Sequence, residues 1–128
     1  MANRKDKNNL KSMCFTRSDC AVACTLDLVG DKWTLLIIRD LFFGKTHYKE
    51  FQDSDENIPT NILASRLQKL EKAGLITRTP YQENPIRYEY RLTKTGKSLK
   101  PVILAIANWG KEHIAGTRIL TSPAGTRH

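Results

Sequence analysis

The chain has too few cysteines, and places them too closely together, to form a disulfide framework. Cys14, Cys20 and Cys24 all lie in the first fifth of the 128 residues. Because three is an odd number, no closed set of pairs exists, and we expect reduced thiols. No Cys-x-x-Cys pair occurs, and the histidines lie far from these cysteines in sequence. The sequence therefore predicts no bound metal.

Long apolar runs and catalytic motifs are also missing. The longest apolar runs, such as Leu35–Ile38, are far too short to cross a bilayer. No apolar segment follows the polar, basic stretch Met1–Lys11, so we expect no secretory signal and a cytoplasmic location. The chain has no phosphate-binding loop, no dinucleotide fingerprint and no Ser-His-Asp order. The sequence therefore predicts neither an enzyme nor a cofactor.

Positive charge is plentiful and concentrated in one region. The segment Pro59–Lys100 holds nine Lys and Arg residues against three Glu residues, a net charge of +6 out of +8 for the chain. Such clustering favours binding to a phosphate backbone, because each neutralised phosphate releases condensed counterions. The alternative is a solvated surface patch that only aids solubility.

The first half of the chain predicts two helices and a short connecting segment. Val22, Leu26 and Val29 recur at helical spacing, and Gly30 is placed to end that helix. Asp31 can cap a second, more apolar helix that stops at Gly44. An extended link at 46–48 and a short helix with Tyr48 and Phe51 facing inward should follow.

A helix with two contrasting faces comes next. Pro59 suits its start, Gly74 suits its end, and the spacing of Leu63, Leu67 and Leu70 places them on one buried face. At about 100° per residue, the opposite face is small and polar. Together with the preceding short helix, this segment predicts a helix-turn-helix.

A hairpin and a last helix complete the pattern. Ile76–Pro80 and Arg87–Leu92 alternate like paired strands, and the turn-forming segment Tyr81–Ile86 joins them. Thr93 or Thr95 can start a terminal helix. Its apolar stripe is too wide for a small domain to cover alone, which favours a partner subunit; the stripe consists of Leu99, Val102, Ile103, Ile106 and Trp109.

These elements predict a single domain that is mainly α with a small β wing, in the α+β class. We expect a mobile basic arm at 1–17, a winged helix-turn-helix at 18–114 and a flexible tail at 115–128.

Specific residues then resemble the HxlR-type, MarR-like transcriptional regulators. The first helix ends in Leu26–Gly30, the next opens with Asp31–Leu41, and Ile58–Leu67 is similar to the family's recognition helix. Arg87–Tyr90 resembles the family's wing, and Leu92–Leu99 resembles the segment that follows it. These motifs occur in order over most of the chain and carry the resemblance.

The resemblance implies a homodimeric repressor that binds a palindromic operator on double-stranded DNA. Such dimers place two recognition helices in successive major grooves, with the wings over flanking backbone or minor groove. The family interface uses the first and last helices. The residues implied at the interface are Val22, Leu26, Val102, Ile106 and Trp109.

Polar side chains on the recognition helix are candidates for the major groove: Thr60, Asn61, Ser65, Arg66, Gln68 and Lys69. Asn or Gln can read adenine with two hydrogen bonds, whereas Ser, Thr and Lys mix base and phosphate contacts. The alternative for each is an ordinary solvated residue. Arg66 sits nearer the buried side, so an internal ion pair is an equal alternative for it.

The candidates for the wing and the DNA backbone are Lys32, Lys45, Arg78, Arg87 and Tyr88. Arg87, near the hairpin tip, suits a narrow, negative groove because its guanidinium binds phosphate through two donors. Tyr88 can instead pack against the opposite strand. For Lys32 and Lys45, simple surface charge is an equal alternative.

Cys20 occupies a position where several family members carry a redox-responsive cysteine. A thiol at a helix N-terminus has a lowered pKa and oxidises more readily. The family often has Pro next, but here Ala21 follows. A structural thiol is the alternative, and a small-molecule effector at the dimer helices is left open, with no ligand class selected.

Two other functions remain open from the residues alone. A winged helix can serve as a protein-interaction module without sequence-specific DNA binding. RNA binding is a weaker alternative, because the chain offers no aromatic platform for stacking unpaired bases.

Overall fold

The computed structural model describes Leu10 and residues 18–120. The predicted N-terminal arm, apart from Leu10, and the last eight residues of the predicted tail lie outside this part. None of the described helices is both long enough and apolar enough to cross a membrane.

Four helices precede one hairpin in the described chain, and two helices follow it. The helices are α1 (Ala21–Val29), α2 (Thr34–Phe42), α3 (Tyr48–Gln52), α4 (Thr60–Lys72), α5 (Lys94–Lys97) and α6 (Lys100–His113). The strands β1 (Ile76–Glu83) and β2 (Ile86–Leu92) lie between α4 and α5. The prediction of a mainly α, winged helix-turn-helix fold is confirmed.

The central helix α2 begins at Thr34, later than an Asp31 cap predicts, but Asp31 does bond to its start. The Asp31 carboxylate accepts hydrogen bonds from the backbone N–H groups of Trp33, at 3.1 Å, and Thr34, at 3.2 Å. These bonds satisfy donors that a helix leaves unpaired in its first turn. Gly44 follows α2 with a φ of 96°, a conformation that glycine adopts without steric cost.

The core forms where α2 meets the helix-turn-helix. Ile38 of α2, Phe51 of α3, Leu63 of α4 and Ile76 of β1 are almost completely buried. Gly74, with a φ of 78°, turns the chain out of α4 so that the Leu75 N–H donates to the Leu70 carbonyl at 3.0 Å. This closing bond satisfies one of the last carbonyls of the helix and sends the chain into β1.

The hairpin is longer than the sequence predicted. Ile76 pairs with Leu92 and Pro80 with Tyr88, after which the register shifts before Gln82 pairs with Arg87. The shift is a bulge, which adds one residue to β1 and lets the strands continue to Glu83 and Ile86. Asn84 and Pro85 alone connect the strands, so the predicted six-residue connection was wrong.

The predicted extended link before α3 attaches the hairpin to the helices. His47 forms an isolated antiparallel bridge with Glu89, and the Tyr90 N–H donates to the Thr46 carbonyl at 2.8 Å. The wing is therefore fixed at its base to the chain that enters the helix-turn-helix.

The predicted terminal helix is divided into α5 and α6. The break falls at Ser98 and Leu99, and Pro101, in the first turn of α6, has no N–H with which to continue the hydrogen bonding of α5. Gly96 of α5 packs against Leu75, the residue before β1, where a Cβ would clash with the Leu75 carbonyl oxygen. A glycine is therefore required at this position of the short helix.

Candidate nucleic-acid interface

The outward face of α4 is a continuous polar strip. Thr60, Asn61, Ser65 and Gln68 are all exposed, and Ala64 lies among them. This face opposes the buried leucines, as the 3.6-residue period requires. Small side chains allow close approach, whereas the amides of Asn61 and Gln68 can each donate and accept a hydrogen bond.

The first turn of α4 is held by α3. The Tyr48 hydroxyl donates to the Thr60 carbonyl at 2.9 Å, and the Gln52 amide donates to the Thr60 Oγ1 at 3.1 Å. The N-terminal end of the polar strip therefore has a fixed position relative to the helix before it.

Two basic residues of α4 point inward instead of toward the polar strip. Arg66 Nε donates to Asp31 Oδ2 at 2.9 Å, and Lys69 Nζ donates to the Asp27 carbonyl at 2.9 Å. Burial alone would raise the pKa of Asp31, but hydrogen bonds from Thr34 and Arg66 lower it to about 2. Arg66 therefore forms the internal ion pair that the sequence left as an alternative.

Lys45 lies in the core, so the structure does not support the prediction that its side chain contacts the DNA backbone. Its side chain is largely buried, and Nζ donates to Ser54 Oγ at 2.9 Å and lies 3.7 Å from Asp40 Oδ2. Arg39 completes the group, donating to Asp40 Oδ1 and, through both terminal nitrogens, to Glu56 at 2.9 and 3.0 Å. We name these five residues the Asp40 cluster.

On the wing, the exposed side chain of Arg87 lies beside a cleft. Within the described residues, no ion pair is recorded for Arg87, which lines a cleft of about 380 Å³ together with Lys49 and Tyr81. Lys49 is exposed on α3 and is a candidate that the sequence reasoning missed. Only the fold brings it near Arg87, because no sequence motif links the two.

The other wing candidates contact one another. The Arg78 guanidinium lies 4.2 Å from the centre of the Tyr88 ring, and Arg78 Nε lies 3.3 Å from Glu71 Oε2. This cation–π contact and exposed ion pair join the wing to the end of α4. Lys32 is exposed near the start of α2, with its ammonium 4.9 Å from the centre of the Trp33 ring.

The two cysteines at α1 differ in oxidation state: Cys20 is a free thiol and Cys24 is in a disulfide. Cys20 is exposed and free at the N-terminus of α1, and backbone N–H groups of Ala23 and Val22 lower the pKa of its thiol. Cys24 takes part in a disulfide bond, so the expectation of three reduced thiols was wrong for it.

Large apolar side chains are exposed on the first and last helices. On α6, Ile106 is 53% and Trp109 is 60% exposed, and Val102 accompanies them. On α1, Val22 and Leu26 are also exposed. Large apolar side chains exposed in such number on two helices are the kind of surface that a partner often covers.

Known proteins resemble this chain in sequence and structure. The protein-family model described as HxlR-like helix-turn-helix matches residues 28–118. The uncharacterized HTH-type transcriptional regulator Rv3095 of Mycobacterium tuberculosis (strain ATCC 25618 / H37Rv) is 42% identical over 94 residues, or 73% of this chain. That match spans only 59% of the mycobacterial protein.

Two further proteins match over more of their own length. The uncharacterized HTH-type transcriptional regulator YdeP of Bacillus subtilis (strain 168) is 36% identical, over 88% of this chain and 87% of its own. The redox regulator HypR, solved in its oxidized form, is 32% identical with a TM-score of 0.67. That match covers 79% of this chain and all of HypR.

The burial of Lys45 predicts an effect on stability. We expect Lys45→Met to lower the free energy of unfolding by about 1–3 kcal/mol, because the buried Asp40 and Ser54 lose a charged partner. Urea denaturation measures this, with the exposed Lys32→Met as the control, expected to change stability by less than about 0.5 kcal/mol. Equal midpoints for the two variants would contradict a structural role for Lys45.

Proposed function

This chain belongs to the HxlR-like helix-turn-helix family, and we propose that it is a transcriptional regulator, a repressor in particular, which binds a specific operator on double-stranded DNA. The observation that carries the proposal is the exposed polar strip of α4 beside an exposed arginine on the wing. The first can enter a major groove, and the second can reach the adjacent phosphates or minor groove.

The base-reading residues of the proposal are Asn61 and Gln68, with Thr60 and Ser65 beside them. Their side chains are exposed and short enough for the α4 backbone to approach base edges. Arg66 and Lys69 act differently, because their bonds to the α1–α2 region set the orientation of α4. Arg87, Lys49 and Lys32 supply exposed positive charge for phosphates.

A homodimer is the second part of the proposal. The exposed apolar side chains of α6 and α1 offer surface for a second copy, and a two-fold axis would pair two α4 helices on a palindromic operator. Without that partner, Trp109 and Ile106 would expose a large apolar area to water.

A response to oxidants at Cys20 is the third part. HypR is described as a redox regulator, and here Cys20 is exposed with a lowered thiol pKa. With hydrogen peroxide, the thiolate attacks one oxygen, an S–O bond forms as the O–O bond breaks, and hydroxide leaves, giving a sulfenic acid. Cys20 lies beside Val22 of the proposed interface, so its oxidation would change the dimer.

Two substitutions separate base reading from backbone binding. We expect Asn61→Ala to cost about 1–3 kcal/mol on the operator and to relax the preference at one base position. Arg87→Ala should weaken operator and random duplex alike and reduce the salt dependence. Affinity for the chain's own upstream DNA and for random duplex, over a salt series, measures both. No preference for the upstream DNA would favour the protein-interaction alternative.

The dimer is tested with one charge on α6. We expect Ile106→Glu to convert the dimer to monomer at micromolar concentration, because it would bury an unpaired carboxylate. Sedimentation velocity measures the change, and Lys111→Glu places the same side chain at an exposed polar position on the same helix as the control. A parent protein that sediments as a monomer would refute this part of the proposal.

The oxidant response is tested through DNA affinity. Hydrogen peroxide should change operator affinity in the parent protein, but not in Cys20→Ser, which lacks the reactive sulfur. A response that persists in Cys20→Ser would assign the sensing to another residue.

A further inference from the structure

The cleft between α3 and the wing also contains a histidine. His47, the residue before α3, lines this cleft of about 380 Å³, and its side chain is 38% exposed. Lys49 and Arg87 line it too, and among the described residues no ion pair is recorded for either. Histidine is the side chain whose charge ordinarily changes between about pH 5 and 8. The total charge of the cleft therefore depends on pH.

The imidazole of His47 has a fixed position at the base of the wing. The Tyr81 ring of β1 meets it edge-on at 86°, with the ring centres 4.3 Å apart. Its Nδ1 atom lies 3.2 Å from Glu50 Oε1 and 3.2 Å from Thr46 Oγ1. The backbone of His47 is also bridged to Glu89 of β2. Contacts from β1, β2 and α3 thus surround this one residue.

Glu50 selects the ring nitrogen that carries the proton. Its Oε1 also accepts from the backbone N–H groups of His47, at 2.9 Å, and Thr46, at 3.0 Å. Burial alone would raise the pKa of Glu50, but these hydrogen bonds lower it, so the carboxylate stays ionised where histidine titrates. An ionised carboxylate beside Nδ1 favours a proton on that atom. In the neutral ring, Nε2 therefore carries a lone pair.

Protonation changes what Nε2 of His47 offers to a ligand. Among the described residues, no hydrogen bond is recorded for this atom. In the neutral ring Nε2 can only accept, and a phosphate oxygen, which also accepts, cannot bond to it. In the protonated ring Nε2 donates, and the ring carries a positive charge. The cleft therefore gains a donor and a charge as the pH falls.

We propose that His47 is a proton-dependent contact to the phosphate backbone of DNA, so that binding DNA in this cleft takes up a proton. Lys49 and Arg87 are charged throughout, whereas His47 adds a third cation only when it is protonated. Linkage is reciprocal: a phosphate that favours the protonated ring is bound more tightly at low pH. The gain is complete below the range in which His47 titrates and is lost as the pH rises through it. This inference rests on the proposed DNA binding.

The other groups that face His47 keep their charge in this range. Four tyrosines line the cleft, and phenols are neutral near pH 7: Tyr48, Tyr81, Tyr88 and Tyr90. Burial raises the pKa of Tyr48 and of Tyr90 further. On β2, the Glu89 carboxylate lies 3.4 Å from the Arg91 guanidinium. Titration of His47 is therefore the change in charge that a phosphate in the cleft meets.

A random DNA duplex tests the proposal, because it reports backbone contacts without preferred bases. We expect the parent protein to bind it about tenfold more tightly at about pH 5.5 than at about pH 8. The salt dependence should be steeper at the lower pH, by about one unit for each bound protomer. Titration calorimetry in two buffers of different ionisation enthalpy measures the proton uptake.

Two substitutions of His47 separate its charge from its size. His47→Gln, which is never charged, should bind at both pH values about as the parent does at the higher pH. His47→Arg, which is always charged, should bind at both about as the parent does at the lower pH. His113→Gln, on α6, is the matched control and should keep the pH dependence of the parent. Circular dichroism at both pH values confirms that each variant is folded.

The tautomer of His47 is tested without DNA. Nitrogen NMR of the imidazole at high pH should show the proton on Nδ1, beside Glu50. A proton on Nε2 instead would refute the change from acceptor to donor.

The affinities also distinguish this inference from the proposed function. A pH dependence that persists in His47→Gln would refute the role of His47, as would equal affinity of the parent at both pH values. Preference for the upstream DNA without pH dependence would refute this inference alone. A pH dependence that His47→Gln abolishes, without preference for the upstream DNA, would refute sequence-specific regulation while the role of His47 stands. Absence of binding to any duplex would refute both.

Discussion

The position of α4 depends on one buried carboxylate. Asp40 of α2 is only 3% exposed, and it is bonded to Arg39 and Ser54, with Lys45 close by. A buried charge is tolerated only when it is paired, so each of these partners is needed where it stands. Because Ser54 belongs to the segment between α3 and α4, the cluster attaches the entry of α4 to the central helix.

Further polar contacts fix α4 once its entry is in place. The carbonyl of Thr60 is held by Tyr48, and Arg66 and Lys69 bond back to the α1–α2 region. Arg66 and Lys69, which could otherwise meet phosphate, are used internally. The outward face is left to small, polar residues, which suit close approach to base edges more than strong, unspecific attraction.

The apolar residues of α6 contribute to a cavity and to an exposed surface. Ile103 and Ala107 face a cavity, and Ile106 and Trp109 remain exposed for a second copy in the proposed dimer.

The sequence determined the elements whose signals are local. The leucine spacing of α4, the Asp31 cap and the glycine stops at Gly44 and Gly74 each act within a few residues, so helices, hairpin and polar strip were predictable. The wing length and the break between α5 and α6 were missed, because the bulge and the packing of Gly96 against Leu75 depend on tertiary contacts. Only the tertiary structure decided the partners of the basic side chains: Arg66 meets a carboxylate 35 residues away and Lys69 a carbonyl 42 residues away. The sequence does not show which way a charged side chain points, because its partners come from distant parts of the chain. Folding alone determines whether the side chain meets solvent or a buried acid.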